Sequence, residues 1–295
     1  MIAVADVACL QRPVVVDQTA TAFAERLAQM VVAALIDEVT LTPKPGLVDM
    51  RSRGAHDDLS WLLMCHSAWV LRPTFVAMAL AGQTISAPQQ LREEIGRIGR
   101  EGEAAMMAAT GGVNTHRGAI WALGLLVTAV AQNAGSVKAS AVTNRAALLA
   151  RLHDQFSPEM TGNKGERACQ TYGVGGARAQ AQAGFPHVLN MALPCLKRSR
   201  ARGDSENVAR LNALLAIIAE LDDTCVLSRG GVDALDAVQG GAQQVLALGG
   251  VAAAQGKIAL QKLEDDLLAR HVSPGGAADL LAATLFLDQL ETEFS

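Results

Sequence analysis

The chain contains very few aromatic residues. Its 295 residues include one tyrosine, three tryptophans and six phenylalanines, 3% in all, although hydrophobic residues make up 50%. A core built on large aromatic rings is therefore excluded, and the apolar share is mostly alanine, leucine and valine. Small side chains of this kind pack closely on helices, so the composition predicts an all-α fold. We expect a single multi-helix domain over residues 21–295, after an N-terminal tail of residues 1–20.

The chain also has no excess of positive charge and no long uncharged apolar run. Its formal net charge is −4. Without a basic stripe or a series of stacking aromatics we expect no nucleic-acid partner. The longest uncharged apolar stretch, residues 119–131, is shorter than the roughly 20 residues that a membrane span needs. The sequence therefore predicts no membrane association.

Cysteines are few and widely spaced. They are odd in number and lack the paired spacing of a zinc site. This pattern fits a reducing compartment better than a disulfide framework, so we predict a cytoplasmic protein. The five cysteines are Cys9, Cys65, Cys169, Cys195 and Cys225.

Strand signals are missing as well. The β-branched run at residues 14–16 is isolated, whereas apolar residues recur at three- and four-residue steps along most of the chain. This period predicts a helix that ends near Thr40 and, among others, continuous helices over residues 60–81 and 208–228. Loops rich in glycine, proline and polar residues separate these helices.

The densest group of charged residues follows the first long helix. Residues 38–58, EVTLTPKPGLVDMRSRGAHDD, hold prolines and glycines that fix the path of a loop too polar to form core. Lys44 lies between two prolines and His56 follows a glycine closely, so we expect both to face a pocket. We predict a site that uses Glu38, Lys44, Asp49 and His56, and we interpret the remaining charges as solvated.

A second motif, GGVNTHRGA, precedes a long apolar helix. Either Asn114 or Thr115 can cap that helix, and His116 and Arg117 lie in its first turn. The free N–H groups and the dipole at a helix N-terminus attract anions. We therefore predict an anion site here, with an ordinary helix cap as the alternative.

Two adjacent carboxylates follow the apolar run LLAIIAEL. If the helix continues to residue 228, one of Asp222 and Asp223 faces the interior and needs a partner. Mg²⁺ that bridges the acids to a polyphosphate would supply one. Arg229 and the preceding Ser228 are candidate phosphate ligands, since Arg229 lies two helical turns after Asp222. A structural ion pair or a surface pair of acids is the alternative.

Other motifs give weaker signals. The glycine-rich YGVGGAR has no preceding strand and no Walker lysine, and Arg178 is its best functional candidate. SPGGAADLL is more typical of a helix start than of a functional site. We interpret the isolated histidines and the tryptophans as structural: His66, His153, His187, His271, Trp61, Trp69 and Trp121.

Together these motifs resemble the triphosphoribosyl-dephospho-coenzyme A synthase family, which makes the prosthetic-group precursor of the carrier subunits of citrate lyase and malonate decarboxylase. The resemblance runs in order through EVTLTPKPGLVD, SRGAHDD, GGVNTHRGAIWALGLL, YGVGGARAQAQAGFP, NMALP, DDTCVLSRGG and SPGGAADLLA. It implies an all-helical catalytic domain in which ATP loses adenine. C1 of the ribose is then joined to the ribose 2′-hydroxyl of 3′-dephospho-CoA.

Such a reaction needs a carboxylate near the sugar, a base for the attacking hydroxyl, a proton donor near the purine and cations on the triphosphate. We expect Glu38 or Asp49 as the base and stabiliser of C1, and His116 as a further catalytic residue. Mg²⁺ on Asp222 and Asp223 is the expected cofactor. Substrate-binding roles are expected for Lys44, His56, Asn114, Thr115, His116, Arg117, Arg178, Ser228 and Arg229.

The chain differs from the family pattern in two places. It has extra residues before GER within TGNKGERACQTYG, and Gln180 stands where the citrate lyase branch tends to have a carboxylate. These differences favour the malonate decarboxylase branch. The expected partners are ATP, 3′-dephospho-CoA and the downstream carrier-protein transferase, and a homodimer is a further hypothesis.

Two alternatives belong to other functional classes. A magnesium-dependent, all-helical nucleotide or ADP-ribosyl hydrolase would use the paired aspartates to activate water and would need no acceptor. A non-catalytic nucleotide-binding assembly subunit would bind ATP without releasing adenine.

Overall fold

The computed structural model describes residues 18–132, 136–158 and 160–294, and within them the chain forms helices and no strand, which confirms the predicted all-α fold. The predicted N-terminal tail lies outside the described residues up to residue 17, and residues 18–20 belong to the first helix. A short π-helical segment, Val188–Ala192, leads directly into the ninth α-helix. The α-helices are α1 (Gln18–Thr40), α2 (Trp61–Val70), α3 (Arg72–Thr84), α4 (Pro88–Ala109), α5 (Arg117–Ala131), α6 (Ala139–Arg151), α7 (Lys164–Tyr172), α8 (Gly176–Gln182), α9 (Leu193–Ala201), α10 (Glu206–Ile218), α11 (Thr224–Ala247), α12 (Ala254–Ala269) and α13 (Gly275–Glu293).

Helix α5 lies at the centre of the core. From Ala119 to its end it is buried except for Trp121, and α3, α6 and α13 pack around it. The packing is close because the facing residues are small. A Cβ atom on Gly82 of α3 would lie 2.6 Å from the carbonyl oxygen of Thr128 on α5. Buried apolar residues from α1 to α13 form one contiguous core, as the low aromatic and high alanine content predicts.

Two apolar helical stretches, Gln18–Thr40 and Trp61–Thr84, are as long and as hydrophobic as a membrane span. Helix α1 packs against α2, α3, α5 and α13, and core helices commonly have this composition. The second stretch is interrupted at Leu71. The absence of a membrane span remains a prediction.

The helix predicted over residues 60–81 is two helices. Helix α2 ends at Val70, and α3 begins at Arg72 with Pro73 in its first turn. A proline inside a continuous helix would remove one hydrogen bond and clash with the preceding turn. At the start of a new helix its missing N–H is no loss, which explains the break.

The prediction of one continuous helix over residues 208–228 is also wrong. Helix α10 ends at Ile218 and α11 begins at Thr224, so Asp222 and Asp223 lie in the connection between them. The backbone of Asp223 is extended, and its carboxylate accepts the N–H of Cys225 at 2.8 Å. A side chain that bonds its neighbouring amides favours a helix start over a helix interior.

We predict opposite effects of alanine at two helical glycines. In Gly256→Ala the new Cβ collides with the backbone carbonyl of Gly250, which should lower the free energy of unfolding by about 1–3 kcal/mol. Gly240 is exposed with open space around it, so Gly240→Ala should raise that free energy by about 0.5–1 kcal/mol. Urea unfolding measures both. Equal effects would contradict the close approach of the α11–α12 connection to α12.

Candidate active site

The loops singled out from the sequence meet in one large cavity. It has a volume of about 1270 Å³ and lies where α1 ends and where α5, α11 and α13 begin. The first turns of α7 and α8 line it as well. Every predicted site residue except Asp49 lines this cavity: Glu38, Lys44, His56, Asn114, Thr115, His116, Arg117, Arg178, Asp222, Asp223, Ser228 and Arg229.

His116 immediately precedes α5, and its imidazole is buried, with 3% of the residue exposed. Its Nδ1 lies 2.9 Å from Ser67 Oγ, which in turn lies 2.5 Å from Thr115 Oγ1. Its Nε2 has no hydrogen-bond partner among the described residues. Burial, together with the charge of Lys44, lowers the pKa of His116 to about 4. The ring is therefore uncharged at neutral pH and leaves one nitrogen free for a ligand.

Lys44 and Glu38 form a buried ion pair on the cavity wall. Lys44 Nζ donates to Glu38 Oε1, and both side chains are almost fully withdrawn from water. Burial raises the pKa of Glu38, and the Lys44 charge opposes that shift. The charge of Lys44 is thus matched within the protein by Glu38, and its phosphate-binding role stays a prediction.

Asp49 lies outside the cavity, contrary to the expectation that it faces a pocket. Its buried carboxylate accepts the N–H groups of Lys44 (3.2 Å), Arg51 (2.7 Å) and Ser52 (3.0 Å). The Arg51 guanidinium also reaches Glu264 on α12 at 3.1 Å. These bonds hold the loop in shape, so Asp49 positions Lys44 and does not reach the cavity.

Two carboxylates connect the starts of three helices. Asp223 precedes α11, and its second oxygen accepts the N–H of Ala277 in the first turn of α13 at 3.0 Å. Asp279 on α13 accepts the N–H of Ala119 in the first turn of α5. A Cβ on Gly118 would collide with Asp279 Oδ2, so a larger residue at that position would displace the carboxylate. Burial, Glu38 and Asp223 together raise the pKa of Asp279 well above its ordinary value.

The predicted phosphate-binding cations have different surroundings. Arg117 Nε donates to Glu103 at 2.6 Å, and Asn114 Oδ1 accepts the backbone N–H of Arg117 at 3.1 Å. The N-cap position itself is occupied by His116, not by Asn114 or Thr115 as predicted. The exposed Arg229 contacts the Cys225 carbonyl at 3.3 Å, and after burial its charge is the main cause of the lowered pKa of His56. Within the described ranges, Arg178 and Arg229 have no carboxylate in ion-pair distance, so their charges are available to an anion.

Comparison with known proteins identifies the family to which the chain belongs. Residues 24–295 match the family model of the ATP:dephospho-CoA triphosphoribosyl transferases. The chain belongs to this transferase family. It is 57% identical over 264 residues to the 2-(5″-triphosphoribosyl)-3′-dephosphocoenzyme-A synthase of Klebsiella pneumoniae, which covers 90% of this chain and 94% of the relative. A probable synthase of the same name from Azotobacter vinelandii is 57% identical over 269 residues, 91% of this chain and 92% of the relative. No solved structure matches the chain.

The transferase is an enzyme, which removes the alternative of a non-catalytic assembly subunit. The resemblance seen in the sequence is confirmed at the level of the family. The two branches, malonate decarboxylase and citrate lyase, are not distinguished by these relatives.

The two aspartates of the predicted magnesium site have different surroundings. Asp223 has both carboxylate oxygens bonded to backbone amides, whereas Asp222 is exposed at the cavity. No group of three or more His, Cys, Asp or Glu side chains suited to a metal is found in the described part of the chain. Mg²⁺ is commonly held by one or two carboxylates with substrate phosphates and water. Asp222 fits such a site and Asp223 does not.

Sequence reasoning missed several cavity residues of the transferase. Asp279 is the lone charge in residues 273–287, and this isolation in an apolar helix was an available signal. Ser67 gave no signal, because its contact with His116 joins residues 49 positions apart. Three residues that the sequence analysis interprets as structural also line the cavity: His153, His187 and Trp121. Arg92 lines it as well and gave no signal in the sequence.

We predict that His116 titrates with a pKa of about 4 in the folded protein, well below the 6.5 of an unperturbed histidine. As the pH falls below about 6.5, the unfolded chain binds a proton at this residue and the folded chain does not. The free energy of unfolding should therefore fall by roughly 3 kcal/mol more in the wild type than in His116→Asn between about pH 7 and pH 4.

Histidine NMR and urea unfolding at a series of pH values measure the two quantities. His66→Asn, at an exposed histidine of α2, is the matched control and should retain the wild-type slope. A His116 pKa near 6.5 would contradict the buried, uncharged ring.

Proposed function

We propose that the transferase releases adenine from ATP and joins the 5-triphosphoribosyl group to the ribose 2′-hydroxyl of 3′-dephospho-CoA. The names of its relatives support this reaction. The observation that carries the proposal is a group of three side chains at one place in the cavity: an uncharged imidazole with a free nitrogen, an ion-paired carboxylate and a carboxyl group of raised pKa. They are His116, Glu38 and Asp279.

These three side chains are close enough to influence one another. Lys44, the partner of Glu38, lowers the pKa of His116, and the Glu38 charge raises the pKa of Asp279. Burial, ion pairing and like-charge repulsion thus act differently on the three groups: the pKa of His116 is lowered, that of Asp279 is raised, and ion pairing opposes the rise at Glu38. An adenine displacement needs such a set, because a base, an anion and a proton donor must act together.

Each step of the displacement can be assigned to one of these groups. The acceptor 2′-oxygen bonds to C1 of the ATP ribose, and the bond from C1 to the adenine nitrogen breaks, with its electron pair leaving on the base. With its proton on Nδ1, donated to Ser67, His116 offers Nε2 to the hydroxyl proton. The Glu38 carboxylate offsets positive charge at C1, and Asp279 donates a proton to the departing purine.

The start of α11 is suited to the triphosphate. Asp222, Ser228, Arg229 and His56 line the cavity there, next to the positive dipole end of the helix. Asp222 and the phosphate oxygens would hold Mg²⁺. When bound, the metal would neutralise charge on the triphosphate.

Adenine release with and without an acceptor tests the proposed function. Purified protein is incubated with ATP and Mg²⁺, and free adenine and coupled product are measured by chromatography and mass. We expect adenine and product in equal amounts, only when 3′-dephospho-CoA is present, and a loss of at least ~100-fold in His116→Asn, as is typical for removal of a general base. Adenine, ADP or AMP formed without an acceptor would instead indicate the hydrolase.

We further propose that the product serves malonate decarboxylase. The extra residues before GER and the uncharged Gln180 favour that branch, and Gln180 Oε1 lies 2.9 Å from His187 Nδ1 in the cavity wall. Because the product is the same compound in both branches, the protein itself is tested for direct binding to the carrier-protein transferase of each branch. Binding to only the citrate lyase transferase would contradict this branch.

Separate variants of the two adjacent aspartates should behave differently. Asp222→Asn should raise the Mg²⁺ concentration needed for half-maximal activity by at least ~10-fold, because a proposed ligand is lost. Asp223→Asn should leave that concentration unchanged and lower the free energy of unfolding by about 1–2 kcal/mol, because a helix cap is weakened. Activity titrations and urea unfolding measure the two effects. A reversed pattern would contradict the division between metal ligand and cap.

A further inference from the structure

One part of the cavity carries more positive charge than the proposed triphosphate site uses. This part, called here the basic end, is lined by α4 and by the first turns of α7 and α8. Its four cations are Arg92, Lys164, Arg167 and Arg178. Glu166 is the one carboxylate among the described residues that line it. Its Oε2 already accepts the N–H groups of Thr161 and Gly162, both at 2.8 Å.

Arg92 is a buried cation with incomplete hydrogen bonding. The residue is 4% exposed, and its Nε has no partner among the residues that the structure describes. Its nearest carboxylate oxygen is Asp154 Oδ2 at 3.6 Å, and that oxygen is bound more closely, at 2.6 Å, by Arg100. A buried guanidinium is costly without a matched anion, and its planar donors suit a phosphate. The cavity is where such an anion could come from.

An indole ring lies beside this cation. The Arg92 guanidinium carbon is 5.2 Å from the centre of the Trp121 ring, and Trp121 Nε1 donates to the Ala177 carbonyl of α8 at 3.2 Å. These contacts fix Arg92 against α5 and bring α8 next to both. Arg178, the residue directly after Ala177, is close enough for its charge to lower the pKa of Arg92 in addition to burial. Two arginines are thus held together although they repel each other.

The proposed reaction requires two polyphosphates in one cavity. ATP brings a triphosphate and 3′-dephospho-CoA brings a diphosphate, and both must be bound when the sugar is transferred. Their charges repel, so each needs its own cations. The cavity, about 1270 Å³, is larger than the ~300–1,000 Å³ typical of a site for one small molecule. If the triphosphate lies at Asp222 and Arg229, the basic end remains for the second anion.

We propose that Arg92 and Arg178 bind the 5′-diphosphate of the acceptor 3′-dephospho-CoA, at a subsite separate from that of the triphosphate. The inference rests on the proposed function. Arg178 supplies an exposed, unpaired charge and Arg92 a fixed, buried one. Together they hold the acceptor by its phosphates and leave its ribose to reach the reacting carbon.

Acceptor preference tests the subsite. Adenosine has the same 2′-hydroxyl as 3′-dephospho-CoA but no phosphate, so it serves as a truncated acceptor. In Arg178→Gln, kcat/KM for 3′-dephospho-CoA should fall by ~10- to 100-fold, the range for one lost charge-assisted hydrogen bond. The KM for ATP and kcat/KM for adenosine should stay at wild-type values. Arg92→Lys, which keeps the charge but loses the planar fork, should also lower kcat/KM for 3′-dephospho-CoA.

Arg198→Gln is the matched control, because it removes one positive charge from an exposed position of α9 outside the cavity. It should leave every constant unchanged. A higher KM for ATP in Arg178→Gln, or an equal loss with both acceptors, would overturn the subsite while leaving the transfer reaction intact. Absence of acceptor-dependent adenine release in the wild type would overturn the proposed function and the subsite together.

Discussion

The structure depends on two carboxylates, one buried and one half-buried, that bond to the first amides of neighbouring helices. Asp223 caps α11 and also accepts an N–H from α13, and Asp279 on α13 accepts an N–H from α5. Three helix N-termini are thereby brought to one cavity, although positive dipole ends repel one another. Both side chains accept amide N–H groups at these helix starts, which offsets the cost of withdrawing them from water. The same arrangement raises the pKa of Asp279 and places it beside Glu38.

Buried and exposed charged groups of the cavity differ in whether they are ion-paired. Two buried groups are matched or uncharged, since Glu38 pairs with Lys44 and the His116 ring is neutral. Arg178 and Arg229, which have no carboxylate in ion-pair distance, lie at exposed positions, and the buried Arg92 is the exception. Polyphosphates can therefore be held toward the outside while the sugar carbon meets carboxylates and an imidazole in a drier region, where electrostatic effects are stronger.

Much of the fold and most of the cavity could be predicted from the sequence. The 3.6-residue apolar period predicted helices, and a glycine-opened helix start pointed to His116. Adjacent acids after an apolar run pointed to Asp222, although the helix assumed there is broken in the structure. The failures concern partners distant in the chain. Nothing local shows that Asp49 closes its own loop, or that Asp223 caps one helix and reaches the start of another. Arg92 can be recognised as a cavity residue only from the structure, in which α4 packs against α5.

The most direct test is a structure of the protein with 3′-dephospho-CoA and an ATP analogue that cannot lose its base. We predict the ribose C1 beside Glu38, the acceptor 2′-oxygen within hydrogen-bond distance of His116 Nε2, and the purine in contact with Asp279. A triphosphate bound between His116 and Asp279, with C1 on the far side of α8, would contradict the assignment of these three residues to the transfer step.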